Sequence, residues 1–343
     1  MTDDPSPDAL YAPPAPPMLL DPWARGRPVR LTGPLERQQF HPLLMALLAF
    51  VAAVAVYLLV SAVGMAVGGV WDAVQAGGDA ATIDPNEVLQ SVSPALLLWA
   101  NAVGQGAGFF AFVLVLTRLH TPDVAGFLRL RGPDPVGMVL ALAGVVVAQP
   151  LVQWLGVLNR QVPFSDGILE MEAEQMAMIE NLLLGSDVSV WTALVVVALV
   201  PAICEEVLFR GYLHRQVERA FGGLAAAVGV GVVFGLFHLR LTQALPLVAL
   251  GVYFGLLVWA TGSLWVPVAA HLLNNGAQVL FAFWAKAQPD FSPEQLEEVS
   301  IPWYLVAASV LGMVWIVNAL AQRRRAVVGA ADGPSGTTRT AGA

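Results

Sequence analysis

The chain has 343 residues, 57% of them hydrophobic and only 12% charged, with a net charge of −8 and a mean hydropathy of +0.68. A soluble domain carries about 25% charged residues, so this composition excludes a water-soluble core and reads as a polytopic membrane protein. The one cysteine, Cys204, excludes an intramolecular disulfide and a cysteine metal cluster.

Residues 1–42 hold ten prolines and no long apolar run. Asp3, Asp4 and Asp8 stand where a signal peptide would be basic. This predicts a disordered, Pro-rich cytoplasmic tail, with 13–17 as a polyproline spacer. A membrane span needs about 20 apolar residues. Eight candidates follow: 43–70, 94–117, 136–157, 191–212, 223–239, 244–261, 264–284 and 301–321. The expected fold is all-α, a bundle of about eight transmembrane helices around a polar intramembrane cavity. It divides into the tail 1–42, a transmembrane domain 43–321 and a disordered cytoplasmic tail 322–343. The Arg-rich, Ala-, Val-, Gly- and Pro-rich usage points to a bacterial source.

An even number of spans puts both termini on one side. That side then holds 14 of the 17 basic residues, including Arg25 to Arg37, Arg129, Arg131, Arg215, Arg219 and Arg323 to Arg325. Arg160, Arg240 and Lys286 fall on the other. By the positive-inside rule both termini are cytoplasmic, in a multi-pass protein of the cell membrane. Between the third and fourth spans, Ile168, Met171, Met176, Ile179 and Leu183 recur at near-helical spacing. The stretch reads equally as an amphipathic surface helix or an acidic loop.

The chemistry lies in the late spans. Glu205 and Glu206 sit side by side in an apolar helix, where each charge costs about 2.5–3.5 kcal/mol on insertion scales. Glu206 and Arg210 are four residues apart, the spacing of a helical ion pair. Glu205 points about 100° away and is left to face a cavity. His238 lies on the fifth span. His271 and Asn275 share one face of the seventh.

A carboxylate, two imidazoles and an amide can activate water and stabilise an oxyanion. Equally, Glu205, His238 and His271 match a catalytic zinc ligand set with an open position. A proton-coupled transporter and a non-catalytic immunity or scaffold protein are the alternatives from other classes. There is no His-Glu-x-x-His string. Depth is an obstacle: from the expected span starts, Glu205 lies about 21 Å in from one side and His238 about 22 Å in from the other. In a core about 30 Å thick these do not coincide.

Glu205-Glu206-x-x-x-Arg210, Phe234-x-x-x-His238 and His271-x-x-x-Asn275, in order on three spans, resemble the CPBP family. This family comprises type II CAAX prenyl endopeptidases and bacteriocin-processing or Abi-type relatives. The resemblance covers 190–285. It implies a membrane-embedded endopeptidase in which Glu205 activates water beside His238. His271 and Asn275 would stabilise the oxyanion, with Glu206 and Arg210 in support. It implies a peptide or protein substrate, lipid-linked in the CAAX case, within membrane lipid and without nucleic acid. The family is treated both as a metalloprotease, with a divalent metal such as zinc, and as a metal-independent glutamate enzyme.

Overall fold

The computed structural model describes residues 17–19, 23, 28–75, 77, 92–183, 188–288 and 301–331. Among these residues nine helices build the bundle: α1 (Pro42–Gln75), α2 (Pro94–His120), α3 (Pro135–Asn159), α4 (Asp166–Leu183), α5 (Val190–Phe221), α6 (Gly223–Phe237), α7 (Ala244–Thr261), α8 (Trp265–Lys286) and α9 (Trp303–Ala331). Local chemistry sets their starts. Ser93, Asp134 and Ser189 accept from backbone N–H groups of the first turns of α2, α3 and α5, satisfying donors with no partner inside the helix. Gly222 (φ +84) and Gly262 (φ +61) make the reversals after α5 and α7, in the left-handed region that glycine enters without a Cβ clash.

Among the described residues six helices are long and apolar enough to cross a membrane: α1, α2, α3, α5, α7 with its preceding turn, and α9. This makes the chain an integral membrane protein and corrects the expected count of about eight. The two expected spans that fall short are informative. α6 has only 15 residues, about 22 Å at 1.5 Å per residue, less than a hydrocarbon core. α8 has 22 residues but carries His271, Asn274, Asn275 and Gln278. These two helices bear or border two of the three motifs, so site chemistry displaces apolar length there.

α5 is the central helix. Its apolar window is 61% buried, against 22% for α1 and for α9, whose Leu58, Leu59, Trp71, Leu311 and Trp315 face outward. One core gathers α1, α2, α5 and α6 around Phe50, Phe109, Phe209 and Phe234. A second gathers α3, α7, α8 and α9 around Val145, Phe254, Leu257 and Ile316. α6 and α7 form a tight hairpin along Gly231, Gly235, Gly251 and Gly255. A Cβ on Gly231 would lie 2.5 Å from the Val252 nitrogen, and one on Gly255 would lie 2.6 Å from the Ala227 oxygen. Small residues four apart on both helices allow this backbone approach.

Part of the stretch expected as a free tail is packed on the bundle. Val29–Arg30 pairs antiparallel with Met18–Leu19, and Val29 and Leu31 are buried. A short helix, Pro34–Arg37, presents Glu36 to Arg219 and His120. At the other end, α9 runs as far as Ala331, beyond the expected boundary at 321. The stretch 166–183, left open between helix and loop, is the helix α4. Residues 13–16 of the proposed spacer, the acidic stretch 290–298 and the chain after 331 lie outside the described residues.

Candidate active site

α5 is interrupted twice by π-helical geometry, at Leu194–Leu199 and at Val207–Leu213. The second begins directly after Glu206. Such turns insert a residue into the helical ladder and recur at functional sites. α2 carries a third, Gly106–Ala111.

Glu206 is fully buried and is the hub. Its Oε1 accepts from Arg210 Nη1 at 2.7 Å and from His271 Nδ1 at 2.9 Å. Arg210 also donates to the Gly251 carbonyl at 2.8 Å, and its guanidinium lies 4.2 Å from the Phe234 ring centroid. The glycine seam thus brings the α7 backbone within reach of the α5 arginine, while Phe234 of α6 covers its face. His271 stacks on Phe254 and meets Phe234 edge-on. Its Nε2 is 3.1 Å from Asn275 Nδ2. Glu206 therefore fixes the ring orientation and the Nδ1–H, leaving Nε2 toward the amide. Gln149 of α3 and Asn274 extend the polar set beside Asn275.

Glu205 behaves differently. It is buried, and among the described residues it makes no hydrogen bond or ion pair; Glu206 shares the partnerless Oε2 but spends its Oε1 on Arg210 and His271. The i, i+4 division read from the sequence describes this geometry: Glu206 holds Arg210, and Glu205 is uncommitted.

His238 ends α6. Its Nδ1 is 2.8 Å from the Phe234 carbonyl, which takes the Nδ1 proton and leaves Nε2 as an acceptor. The ring packs on Phe234, which also touches His271 and Arg210. Among the described residues no hydrogen bond joins His238 to Glu205; one aromatic ring separates His238 from His271. Leu239, next in sequence, has φ +53. A branched residue there costs on the order of 1–2 kcal/mol.

The depth mismatch disappears because α5 continues to Phe221. Glu206 lies 16 residues before Gly222, and His238 lies 16 residues after it. In an antiparallel hairpin these heights agree. Hydropathy placed the end of the fourth span near 212, since His214, Arg215 and Gln216 look polar. They are buried against protein rather than lipid.

A zinc set of Glu205, His238 and His271 does not fit this geometry. Among the described residues no three His, Cys, Asp or Glu side chains gather as metal ligands. With Nδ1–H donated to Glu206, the one lone pair of His271 is on Nε2, where it meets the Asn275 amide.

Sequence reading missed Phe234 and Phe254 as the walls of the site, though Phe234 opened a quoted motif. It also missed Gly231-x-x-x-Gly235 and Gly251-x-x-x-Gly255, a visible packing signal. A further missed pair, Asn159 and Glu172, holds the turn Leu241–Gln243 after His238. Next to that turn Arg240 is held below its ordinary value by burial, against the opposing charge of Glu172.

Residues 187–277 match the family model described as Type II CAAX prenyl endopeptidase Rce1-like, and every motif residue from Glu205 to Asn275 falls within them. An 86-residue stretch is 35% identical to a Bacillus subtilis (strain 168) protein named "Putative membrane peptidase YdiL", covering 24% of this chain and 34% of that protein. The chain thus spans about a third of the length of the relative it matches. No solved structure matches the chain. It is through residues 187–277, the segment that carries Glu205, His238 and His271, that the chain is similar to the Type II CAAX prenyl endopeptidase Rce1-like proteins.

Proposed function

We propose that the chain is a metal-independent intramembrane endopeptidase with Glu205 as its base. The observation that carries this reading is the contrast between the adjacent carboxylates. Glu206 is committed through Oε1 to Arg210 and His271, its Oε2 alone lacking a partner, whereas Glu205 makes no hydrogen bond or ion pair among the described residues. Glu205 takes a proton from water, and the resulting hydroxide attacks the carbonyl carbon of the scissile peptide. His238, its Nε2 unencumbered, orients that water. The C–O bond forms as the carbonyl π bond opens to an oxyanion beside the Asn275 amide, which donates to it, while His271, its Nδ1–H held by Glu206, orients that amide. Glu205 then returns its proton to the leaving nitrogen as the C–N bond breaks, giving a carboxylic acid and an amine.

The substrate is a peptide or protein segment delivered in the membrane, either a prenylated C-terminus of CAAX type or another processed peptide. The face bearing Arg129, Arg219 and Arg323 is cytoplasmic in this reading, with the protein in the cell membrane. The hairpin of α6 and α7 returns the chain to the same face however deeply α6 reaches, so the shortness of α6 leaves this orientation unchanged.

The test uses the full chain in proteoliposomes with a quenched fluorogenic CAAX peptide, farnesylated and unmodified. Glu205→Gln is expected to lower kcat by about 100-fold or more, the scale of a positioned base. His238→Ala should follow it, and excess 1,10-phenanthroline should leave the unsubstituted rate unchanged. Cleavage that persists in Glu205→Gln refutes the base assignment. Loss of cleavage to the chelator, restored by zinc, refutes the metal-independent mechanism.

A further inference from the structure

The chain reverses direction directly after His238, and two buried side chains from other helices hold that reversal. Glu172 of α4 is 5% exposed. Its Oε1 accepts from the Leu241 nitrogen at 2.5 Å, and its carboxylate also accepts from the Thr242 nitrogen and hydroxyl. Asn159, the last residue of α3, is 2% exposed. It donates to the Leu241 carbonyl at 2.8 Å and accepts from the Leu245 nitrogen at 2.7 Å. A carboxylate thus binds the free N–H groups that open the turn Leu241–Gln243, where a backbone dipole favours negative charge. Between this clamp and His238 stand only Leu239, at φ +53, and Arg240. A left-handed leucine persists where its surroundings over-determine it. Here the constraint on one side is the clamp, and on the other the His238–Phe234 bond.

The hydrogen bonds of Glu172 go to the turn after His238 and not to the Glu206–His271 hub. Its buried carboxylate serves the backbone three residues after His238. A leucine or methionine at 172 would pack α4 on the bundle without binding these donors; a carboxylate is needed only if the turn must hold one position.

We propose that Glu172 is a positioning residue for His238, so that the surface helix α4 sets the placement of a catalytic imidazole inside the bundle. This rests on the assignment of His238 to the site. Asn159 secures the other side of the same turn. Loss of the Glu172 bonds frees residues 239–243, and His238 then samples orientations that do not face the substrate.

Two readouts on the full chain test this. The first needs no substrate: the rate at which diethyl pyrocarbonate modifies His238, read by mass spectrometry, with His271 as the internal reference. Glu172→Ala should raise the His238 rate severalfold with His271 unchanged. Thr242→Val, which removes one donor, should raise it less. Glu174→Ala, at an exposed position of the same helix, should leave it as it was. The second is cleavage of the fluorogenic peptide. Glu172→Ala should lower kcat by about tenfold with KM preserved, the effect of a misplaced group rather than lost binding, and Glu172→Gln should recover part of it. An unchanged His238 rate in both Glu172→Ala and Thr242→Val overturns the proposal, as does a raised KM with kcat intact. If Glu172→Ala fails to fold, Thr242→Val alone decides. If the unsubstituted protein does not cleave the peptide, the peptidase reading falls, while the His238 rate still judges the clamp.

Discussion

Glu206 and Arg210 are both buried from solvent, and each depends on the other. Arg210 has three anchors: the Glu206 carboxylate, the Gly251 carbonyl and the Phe234 face. Removing one member of a buried ion pair strands the other charge, at a cost of about 3–5 kcal/mol. Glu206→Ala is therefore expected to destabilise the protein by that order, and to release His271 at the same time. Glu205 has no ion-pair partner to strand, so Glu205→Gln should remain within about 0.5 kcal/mol of the unsubstituted protein. Unfolding in detergent, followed by helicity, measures both. Equal destabilisation by the two substitutions would contradict the division of labour between the neighbouring carboxylates.

At the scale of elements, the α6–α7 seam governs how closely the α7 backbone approaches Arg210. A Cβ on Gly251 would lie 2.4 Å from the Gly231 carbonyl oxygen, a backbone atom that cannot swing aside. Gly251→Ala should cost about 1–3 kcal/mol by forcing the helices apart. It should also reduce cleavage, because Arg210 then loses its Gly251 contact. Gly229 provides the comparison on the same hairpin: a Cβ there meets nothing within 4 Å, so Gly229→Ala should leave both stability and cleavage unchanged. Paired unfolding and activity measurements on the two variants separate the seam from a general effect of alanine.

What the sequence disclosed was the local part of this arrangement. Glu206–Arg210 and His271–Asn275 were readable because a helix brings residues four apart onto one face. The bond from Glu206 to His271 joins residues on two helices, and no spacing rule reaches it. The six apolar helices were legible from hydropathy, but the end of α5 was not. His214, Arg215 and Gln216 are polar residues buried in protein, a situation that hydropathy cannot tell from exposure to water. Glu172 escaped notice because its partners, the Leu241 and Thr242 N–H groups and the Thr242 hydroxyl, lie about 70 residues on, where no spacing rule reaches.

At the scale of the whole molecule, the N-terminal stretch and α5 are tied at the face opposite α4. Arg219, near the end of α5, grips both oxygens of Glu36 at 3.0 and 2.8 Å. His120, at the end of α2, bonds Glu36 through Nδ1 at 2.5 Å and the Tyr212 hydroxyl through Nε2 at 2.8 Å. Tyr212 belongs to the π-helical stretch that follows Glu206. Burial alone would raise the Glu36 carboxyl, but its bonds from His120 and Arg219 outweigh this and hold it below its ordinary value of 4.5. A carboxylate with a depressed folded value stabilises the docked state fully above its unfolded value. It loses that contribution as pH falls through the folded one. The docked segment should therefore be insensitive to pH from neutrality down to about 4.5 and release below it. The amides of Leu31 and Gly33, bonded to the Pro17 and His120 carbonyls, report this directly by hydrogen exchange corrected for intrinsic rate. Their protection should fall in that acidic window, and Glu36→Gln should lower it already at neutral pH. Protection that is constant through the window, or equal in Glu36→Gln at neutral pH, would mean that apolar burial of Val29 and Leu31 holds the segment without the ion pair.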